Sequence, residues 1–165
     1  GDQFSDSGAV ACAIEVGARS IDHLEALAPV DARLRDLAMS DVAAVLLPLS
    51  SLFLRRPFAP GRALIDAGGI VALASDFNPG SSYGESLPLA MSLATIGCGL
   101  RASEALVACT ANAAWVLGVD DTAGRIAVGM PCDLAVFEQP SLEHLSYHVG
   151  SPRLAGVFLS GHQVA

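Results

Sequence analysis

The run Val-Ala-Ala-Val-Leu-Leu at residues 42–47, followed at once by Pro48, decides the fold class of this chain. It is apolar at every position, which is typical of a parallel strand buried on both faces. A second apolar run at 70–74 ends in Ser75 and Asp76. Helical patterns separate these runs. We therefore expect an α/β fold in which helices cover a parallel sheet.

The remaining elements extend this alternation along the chain. Helices are predicted over 7–16, 31–39, 62–67, 86–96 and 103–117, and strands over 19–24, 42–47, 70–74, 133–137 and 157–159. Right-handed crossovers permit either an open sheet or a barrel. A complete (β/α)8 barrel needs about 250 residues, so this chain is expected to hold only the second half if the fold is a barrel. The pattern changes near residue 120, which predicts a partial barrel over 1–119 and a small unit over 120–165.

Composition excludes several classes of function. The 165 residues carry a formal net charge of -8, and all nine cationic side chains are arginine. We expect no nucleic-acid partner, because the surface is not built to neutralise phosphates. Without lysine, Schiff-base chemistry and a Walker-type phosphate loop are excluded. No apolar run reaches the ~20 residues that cross a bilayer, and no leader is evident, so we expect no membrane partner and a cytoplasmic location.

The four cysteines give no sign of a metal or redox site. No two of them have Cys-x-x-Cys spacing, and each falls inside an apolar segment. We predict that they are small core residues. They are Cys12, Cys98, Cys109 and Cys132.

Polar side chains at the carboxyl ends of two predicted strands form the candidate site. His23 and Asp76 hold these positions and are expected to face one opening. Imidazole and carboxylate both suit zinc or iron. The alternative is that His23 is hydrogen-bonded within the core and Asp76 caps the following turn. Asn78, Gly80 and Ser81 are also residue types common in ordinary turns, which is the alternative to a functional role for them.

Several motifs closely resemble the imidazolonepropionase family, metal-dependent amidohydrolases of histidine degradation. They are Asp-Gln-Phe-Ser-Asp at 2–6, Asp-His-Leu-Glu at 22–25, Ser-Asp-Phe-Asn-Pro-Gly-Ser at 75–81 and Thr-Ala-Asn-Ala-Ala at 110–114. The last is shared across amidohydrolases, whereas the Asp-Phe-Asn-Pro-Gly-Ser run is the specific one. The resemblance covers essentially the whole chain.

The C-terminal part also resembles this family. Residues 124–134 look like the return strand of a small β-sandwich, and Tyr-His-Val-Gly at 147–150 resembles a C-terminal signature. The resemblance implies the C-terminal half of a (β/α)8 TIM-type barrel over 1–119. It implies closing strands of a small β-sandwich domain over 120–165.

The resemblance implies hydrolysis of the cyclic amide 4-imidazolone-5-propanoate to N-formimidoyl-L-glutamate. The cofactor implied is one divalent or trivalent metal ion, zinc or iron. Asp76 matches a metal ligand that also takes the proton of the attacking water. His23 matches a histidine that lies beside the substrate. Gln3 matches a substrate contact that is glutamate in many members, and its amide cannot titrate.

The same resemblance assigns the turn after Asp76 to the substrate and product. Asn78 and Gly80 match residues that hold the opened product, and Ser81 matches a substrate contact. The other metal ligands and the substrate-binding arginine belong to the N-terminal half, with one histidine expected just before Gly1. The segment alone is therefore expected to be inactive, within a parent that forms a homodimer and takes a small-molecule substrate.

Two other interpretations remain open at this point. One is a different amidohydrolase that acts on another cyclic amide or on a ring amine, because the barrel and Asp76 are common to all of them. The other is a non-catalytic scaffold that has lost its metal. The run Asn-Pro-Gly-Ser at 78–81 discriminates between them, because it suits a substrate with a carboxylate arm.

Overall fold

A three-stranded parallel sheet organises the first half of the chain. The computed structural model describes residues 1–151 and 153–165. The strands lie in the order β1-β2-β3, and Val45 of the central strand pairs with both Asp22 and Ala72. The strands are β1 (Ser20–Asp22), β2 (Ala43–Leu46) and β3 (Val71–Leu73). The parallel sheet is thus confirmed, and its strands present their carboxyl ends at one common edge.

Helices follow each strand and cover the sheet. All residues of β2 and β3 are buried, as their uninterrupted apolar runs predict. Leu46, Leu64 and Ala94 are fully buried in one core that joins the sheet to its helices. The helices are α1 (Ala9–Glu15), α2 (Ala32–Ala38), α3 (Pro48–Phe53), α4 (Gly61–Asp66), α5 (Leu87–Gly97), α6 (Ala102–Cys109) and α7 (Ala111–Leu117).

Two features of the helices differ from the prediction. The single helix expected over 103–117 is wrong, because the chain breaks at Thr110, where φ is -121° and ψ is -88°. The break lets Asn112 Nδ2 donate a hydrogen bond of 2.8 Å to the Val71 carbonyl on β3. The helix α3 was not predicted either. Pro48 ends the apolar run, but it also occupies the first turn of α3, where its missing N–H costs nothing.

The C-terminal part forms an antiparallel sheet of β4 (Leu134–Phe137), β5 (Leu154–Leu159) and β6 (His162–Gln163). No strand is present over 124–133, so the return strand expected from 124 begins only at Leu134. Pro131 and the left-handed Gly129, with φ 90°, break the preceding segment into turns. The wider β-sandwich stays a prediction.

A short helix between β4 and β5 packs against the first half of the chain. This helix, α8 (Leu142–Tyr147), was not predicted, and Ser141 Oγ caps it by accepting from the His144 N–H. It packs against α5 and α6, and its buried Leu145 belongs to the main core. The division between residues 119 and 120 stays a prediction, with α8 packed on the first part.

The cysteines divide between core and surface. Cys98 is buried and Cys109 is half-buried, as predicted, but Cys12 and Cys132 are exposed, so the prediction is wrong for those two. Burial raises the pKa of the Cys98 thiol to about 12, with a further contribution from the Glu25 charge. Burial alone raises the pKa of Cys109 to about 12. Both thiols are therefore protonated and unreactive at neutral pH. Across the described chain, no helix combines the length and apolar character needed to span a bilayer.

Candidate active site

Polar residues that follow all three parallel strands lie at the carboxyl edge of the sheet. His23 and Glu25 come after β1, Ser50 and Ser51 lie in α3 directly after β2, and Asp76 follows β3. Carboxyl edges of parallel sheets are where α/β proteins place their sites. The predicted residues His23 and Asp76 therefore belong to one edge.

His23 lies in an unusual turn. Its φ is 80° and that of Leu24 is 73°, so two successive residues other than glycine are left-handed. The backbone N–H of His23 donates to the Val45 carbonyl at 3.1 Å. The imidazole is 20% exposed, and its buried Nδ1 has no hydrogen-bond partner among residues 1–151 and 153–165. His23 is therefore not a histidine whose hydrogen bonds are satisfied by the core.

Glu25, which the sequence did not mark as a site residue, lies beside this histidine. Its carboxylate is completely buried, and Oε1 is 3.5 Å from His23 Nδ1. The Ser51 hydroxyl donates to the same Oε1 at 2.8 Å. The only signal in the sequence was the glutamate two positions after a histidine at a strand end. Its burial depends on Ser51, which is remote in sequence.

The segment that carries Gln3 is fixed by its neighbour Asp2. The buried Asp2 Oδ1 accepts from the backbone N–H and the hydroxyl of Ser7, both at 2.8 Å, and Oδ2 lies 3.3 Å from Arg33. Burial tends to raise the pKa of Asp2, but the Ser7 hydrogen bonds and the Arg33 charge lower it overall. Gln3 is half-buried, and its Nε2 lies 3.4 Å from Ser50 Oγ.

Backbone hydrogen bonds tie the Gln3 segment to the His23 turn. The Leu24 N–H donates to the Gly1 carbonyl at 3.1 Å, and the Ala26 N–H donates to the Asp2 carbonyl at 2.9 Å. Gln3 contacts Ser50, and Glu25 contacts the adjacent Ser51. The structure thus brings Gln3 and His23 together around the first turn of α3. No hydrogen bond or ion pair joins Asp76 to this group within the described residues.

Asp76 does not cap the turn that follows it. Its φ is 53°, and its half-buried carboxylate forms no hydrogen bond or ion pair in the part of the chain that the structure describes. The Asp76 carbonyl, not the side chain, accepts from Asn78 Nδ2 at 2.6 Å. The alternative interpretation as a turn cap is therefore wrong. The carboxylate is left free for a ligand.

Asn78 organises that turn. Its Oδ1 accepts from the backbone N–H groups of Gly80 and Ser81 at 2.9 and 2.8 Å. Its Nδ2 also donates to Ser81 Oγ at 3.1 Å. Below them, the buried Ser82 donates its hydroxyl to the Ser75 carbonyl at 2.7 Å. The turn interpretation of Asn78 and Ser81 is therefore correct, and their contact with a substrate or product stays a prediction.

The donor chemistry fits a metal ion only in part. A free carboxylate at a strand end is a suitable ligand for zinc or iron. Asp76 is such a donor, but within residues 1–151 and 153–165 no group of three or more His, Cys, Asp or Glu side chains could hold an ion. The described residues therefore do not supply a complete ligand set around Asp76, and an ion held there would need further ligands.

Comparison with known sequences identifies close relatives. The model of the amidohydrolase family matches residues 12–150. The chain is 50% identical over 160 residues to an imidazolonepropionase of Rubrobacter xylanophilus, covering 97% of this chain and 38% of that protein. It is 44% identical over 163 residues to an imidazolonepropionase of Deinococcus radiodurans, covering 99% of this chain and 40% of that protein. The chain therefore spans well under half the length of these curated relatives.

Solved structures share the fold. An adenosine deaminase from Xanthomonas campestris with bound zinc matches 96% of this chain and 42% of its own, with a TM-score of 0.76 and 25% identity. A guanine deaminase from E. coli matches 88% of this chain and 38% of its own, with a TM-score of 0.71 and 18% identity. The α/β architecture of the described chain is thus that of barrel-type amidohydrolases.

Proposed function

Since the chain belongs to the amidohydrolase family, we propose that it is part of an imidazolonepropionase. The whole protein would hydrolyse 4-imidazolone-5-propanoate to N-formimidoyl-L-glutamate in histidine degradation. The observation that carries this proposal is the edge of the parallel sheet, where His23 follows β1 and the free carboxylate of Asp76 follows β3. Gln3 reaches the same edge through its contact with Ser50, after β2. The 50% identity to an imidazolonepropionase across nearly the whole chain supports this choice of substrate.

We propose that β1, β2 and β3 are consecutive strands of a (β/α)8 barrel. The chain would form the C-terminal half of that barrel. The strand order and the complete burial of β2 and β3 support this arrangement. The antiparallel strands β4, β5 and β6 would be part of a small β-sandwich domain. The remaining barrel strands would pair with the outer edges of β1 and β3.

Asp76 would hold one metal ion, zinc or iron, together with ligands from the rest of the protein. When bound, such an ion lowers the pKa of a water molecule and polarises a carbonyl group. The carboxylate of Asp76 is suited to this role because no protein donor in the described chain occupies it. The bound zinc in the similar adenosine deaminase is consistent with a divalent ion.

The chain's own residues would divide the remaining work. Asp76 would accept a proton from the attacking water and deliver it to the ring nitrogen as the carbon–nitrogen bond breaks. His23 would lie against the ring with its exposed side, and the Gln3 amide would orient the ring by hydrogen bonding. The turn built by Asn78 would present Gly80 and Ser81 to the carboxylate arm of the substrate and to the opened product.

The test is a turnover assay on the whole protein, loaded separately with zinc and with iron. We expect 4-imidazolone-5-propanoate to be consumed and N-formimidoyl-L-glutamate to appear, with adenosine and guanine left unchanged. Release of ammonia from either ring amine, without turnover of the imidazolone, would assign the protein to a different amidohydrolase activity. Failure to bind either metal, together with no turnover of any of these compounds, would support a scaffold instead.

We also propose that the whole protein is a cytoplasmic homodimer whose only ligands are its metal and its small-molecule substrate. The acidic composition, with a net charge of -8, supports the absence of a nucleic-acid partner. Sedimentation equilibrium of the whole protein tests the dimer, and a monomer at micromolar concentration would contradict it.

A further inference from the structure

Glu25 is a buried carboxylate that the proposed reaction leaves unused. Its side chain has no exposed surface, Oε1 faces His23 Nδ1 at 3.5 Å, and Oε2 has no hydrogen-bond partner among residues 1–151 and 153–165. Burying a carboxylate is costly unless it is paired. Its partners in the described chain are the Ser51 hydroxyl and the imidazole of His23. Both belong to the carboxyl edge of the sheet.

The backbone bends to make this pair. His23 and Leu24 both have left-handed dihedral angles, which cost roughly 1–2 kcal/mol for each residue other than glycine. The fully buried side chain of Leu24 holds the turn in place, and so does the hydrogen bond that the Leu24 N–H donates to the Gly1 carbonyl. The turn directs Glu25 back to the imidazole that precedes it by two residues. Strain of this kind persists only where the surrounding structure enforces it.

The pair also fixes which side of the imidazole is available. Nδ1 is buried against Glu25, whereas the ring as a whole is 20% exposed. The exposed surface of the ring therefore belongs to atoms other than Nδ1. A neutral imidazole carries its proton on one nitrogen, and an acceptor beside that nitrogen selects the tautomer.

We propose that Glu25 is a positioning residue for His23. Its negative charge, 3.5 Å from Nδ1, favours a proton on that nitrogen, which holds the ring in one orientation and one tautomer and leaves the Nε2 lone pair for the substrate. Ser51 fixes the carboxylate through its hydrogen bond to Oε1. The inference rests on the proposed function, because the substrate-facing role of His23 belongs to that reaction.

The first test is kinetic and uses the whole, metal-loaded protein. Glu25→Gln keeps the side-chain shape but also offers an N–H group to Nδ1, so it permits the opposite tautomer. We expect kcat to fall by about 10- to 100-fold, the range seen when a carboxylate partner of a functional histidine is lost, with KM little changed. The matched control is Glu15→Gln, because Glu15 is exposed on α1, and it should leave kcat at the wild-type value.

A double-mutant cycle separates positioning from a structural role. If Glu25 acts through His23, adding Glu25→Gln to His23→Gln should cause no further loss of kcat. A loss that is fully additive overturns the proposal. Should Glu25→Gln fail to fold, Ser51→Ala replaces it: this variant should lower kcat several-fold with His23 present and not at all in the His23→Gln background.

A spectroscopic readout makes the inference testable even if the proposed function fails. In ¹⁵N NMR of the whole protein, we expect the His23 ring to carry its proton on Nδ1, and to lose this preference in Glu25→Gln but not in Glu15→Gln. An unchanged tautomer overturns the proposal whatever the protein hydrolyses. A wild-type protein with the Nδ1–H tautomer but no turnover of the imidazolone would refute the proposed function and leave the pairing of Glu25 with His23 intact.

Discussion

Asp76→Asn in the whole protein separates the chemical role of this carboxylate from any structural one. Asparagine adopts left-handed dihedral angles readily, so the φ of 53° at this position is tolerated. The turn depends on the Asp76 backbone carbonyl, which the substitution keeps. The carboxylate itself makes no hydrogen bond or ion pair within residues 1–151 and 153–165. The free energy of unfolding should therefore change by less than about 0.5 kcal/mol.

The effect on catalysis should be much larger. The amide retains one coordinating oxygen, so metal should still bind, but an amide cannot accept the proton. Loss of a general base lowers kcat by about 10²- to 10⁴-fold, which corresponds to roughly 3–5 kcal/mol of transition-state stabilisation. The loss of transition-state stabilisation should thus be at least about five times the change in the free energy of unfolding.

Three measurements on the same preparation decide the matter: turnover, metal stoichiometry and Tm. Asp36→Asn is the matched control, because Asp36 is exposed on α2, and it should change none of the three. Turnover of Asp76→Asn within a few-fold of wild type at full metal occupancy would remove Asp76 from the mechanism. A large fall in Tm with turnover retained would return it to a structural role.

Three further outcomes are expected of the whole protein. Gln3→Ala should lower kcat/KM without loss of metal, because the Gln3 amide contacts Ser50, and metal analysis showing an empty site would contradict this. Asn78→Ala should lower the free energy of unfolding in urea by about 1–3 kcal/mol, because two backbone N–H groups lose their acceptor; an unchanged midpoint would contradict this. The lowered pKa of Asp2 means that its carboxylate stabilises the fold fully above the ordinary value of 3.8, and that this stabilisation is lost as pH falls through the lower folded pKa. The Tm difference between wild type and Asp2→Asn should therefore be greatest near neutral pH and shrink in acid, and a pH-independent difference would refute the assignment.

The buried sheet could be predicted because its signal is local. The runs at 42–47 and 70–74 are short, apolar at every position and bounded by turn or polar residues, which together favour a strand covered on both faces. The position of Asp76 followed directly, since a polar residue after such a run lies at the carboxyl edge. The turn chemistry of Asn78 was also visible, because an asparagine two residues before a glycine suits this geometry.

The features that were missed depend on contacts remote in sequence. The break at Thr110 allows Asn112 to reach Val71, and nothing in the helical pattern of 103–117 reveals that partner. Pro48 was interpreted only as the end of a strand, although the same residue begins α3. The burial of Glu25 follows from a turn of two left-handed residues and from the Ser51 hydroxyl. Neither histidine nor leucine is a residue type that predicts a left-handed turn.

The hydrogen bond from Asn112 to Val71 also governs how β3 can be extended. Ile70, directly before this strand, accepts with its carbonyl from the Ala44 N–H of β2. Because successive peptide groups alternate in direction, the Val71 carbonyl faces the opposite, outer edge. Asn112 occupies that acceptor at 2.8 Å. A strand that joined this edge would meet an acceptor already engaged by Asn112, so the first hydrogen bonds available to it would lie closer to Asp76. We expect α7, through this one side chain, to influence the register at which such a strand pairs with β3.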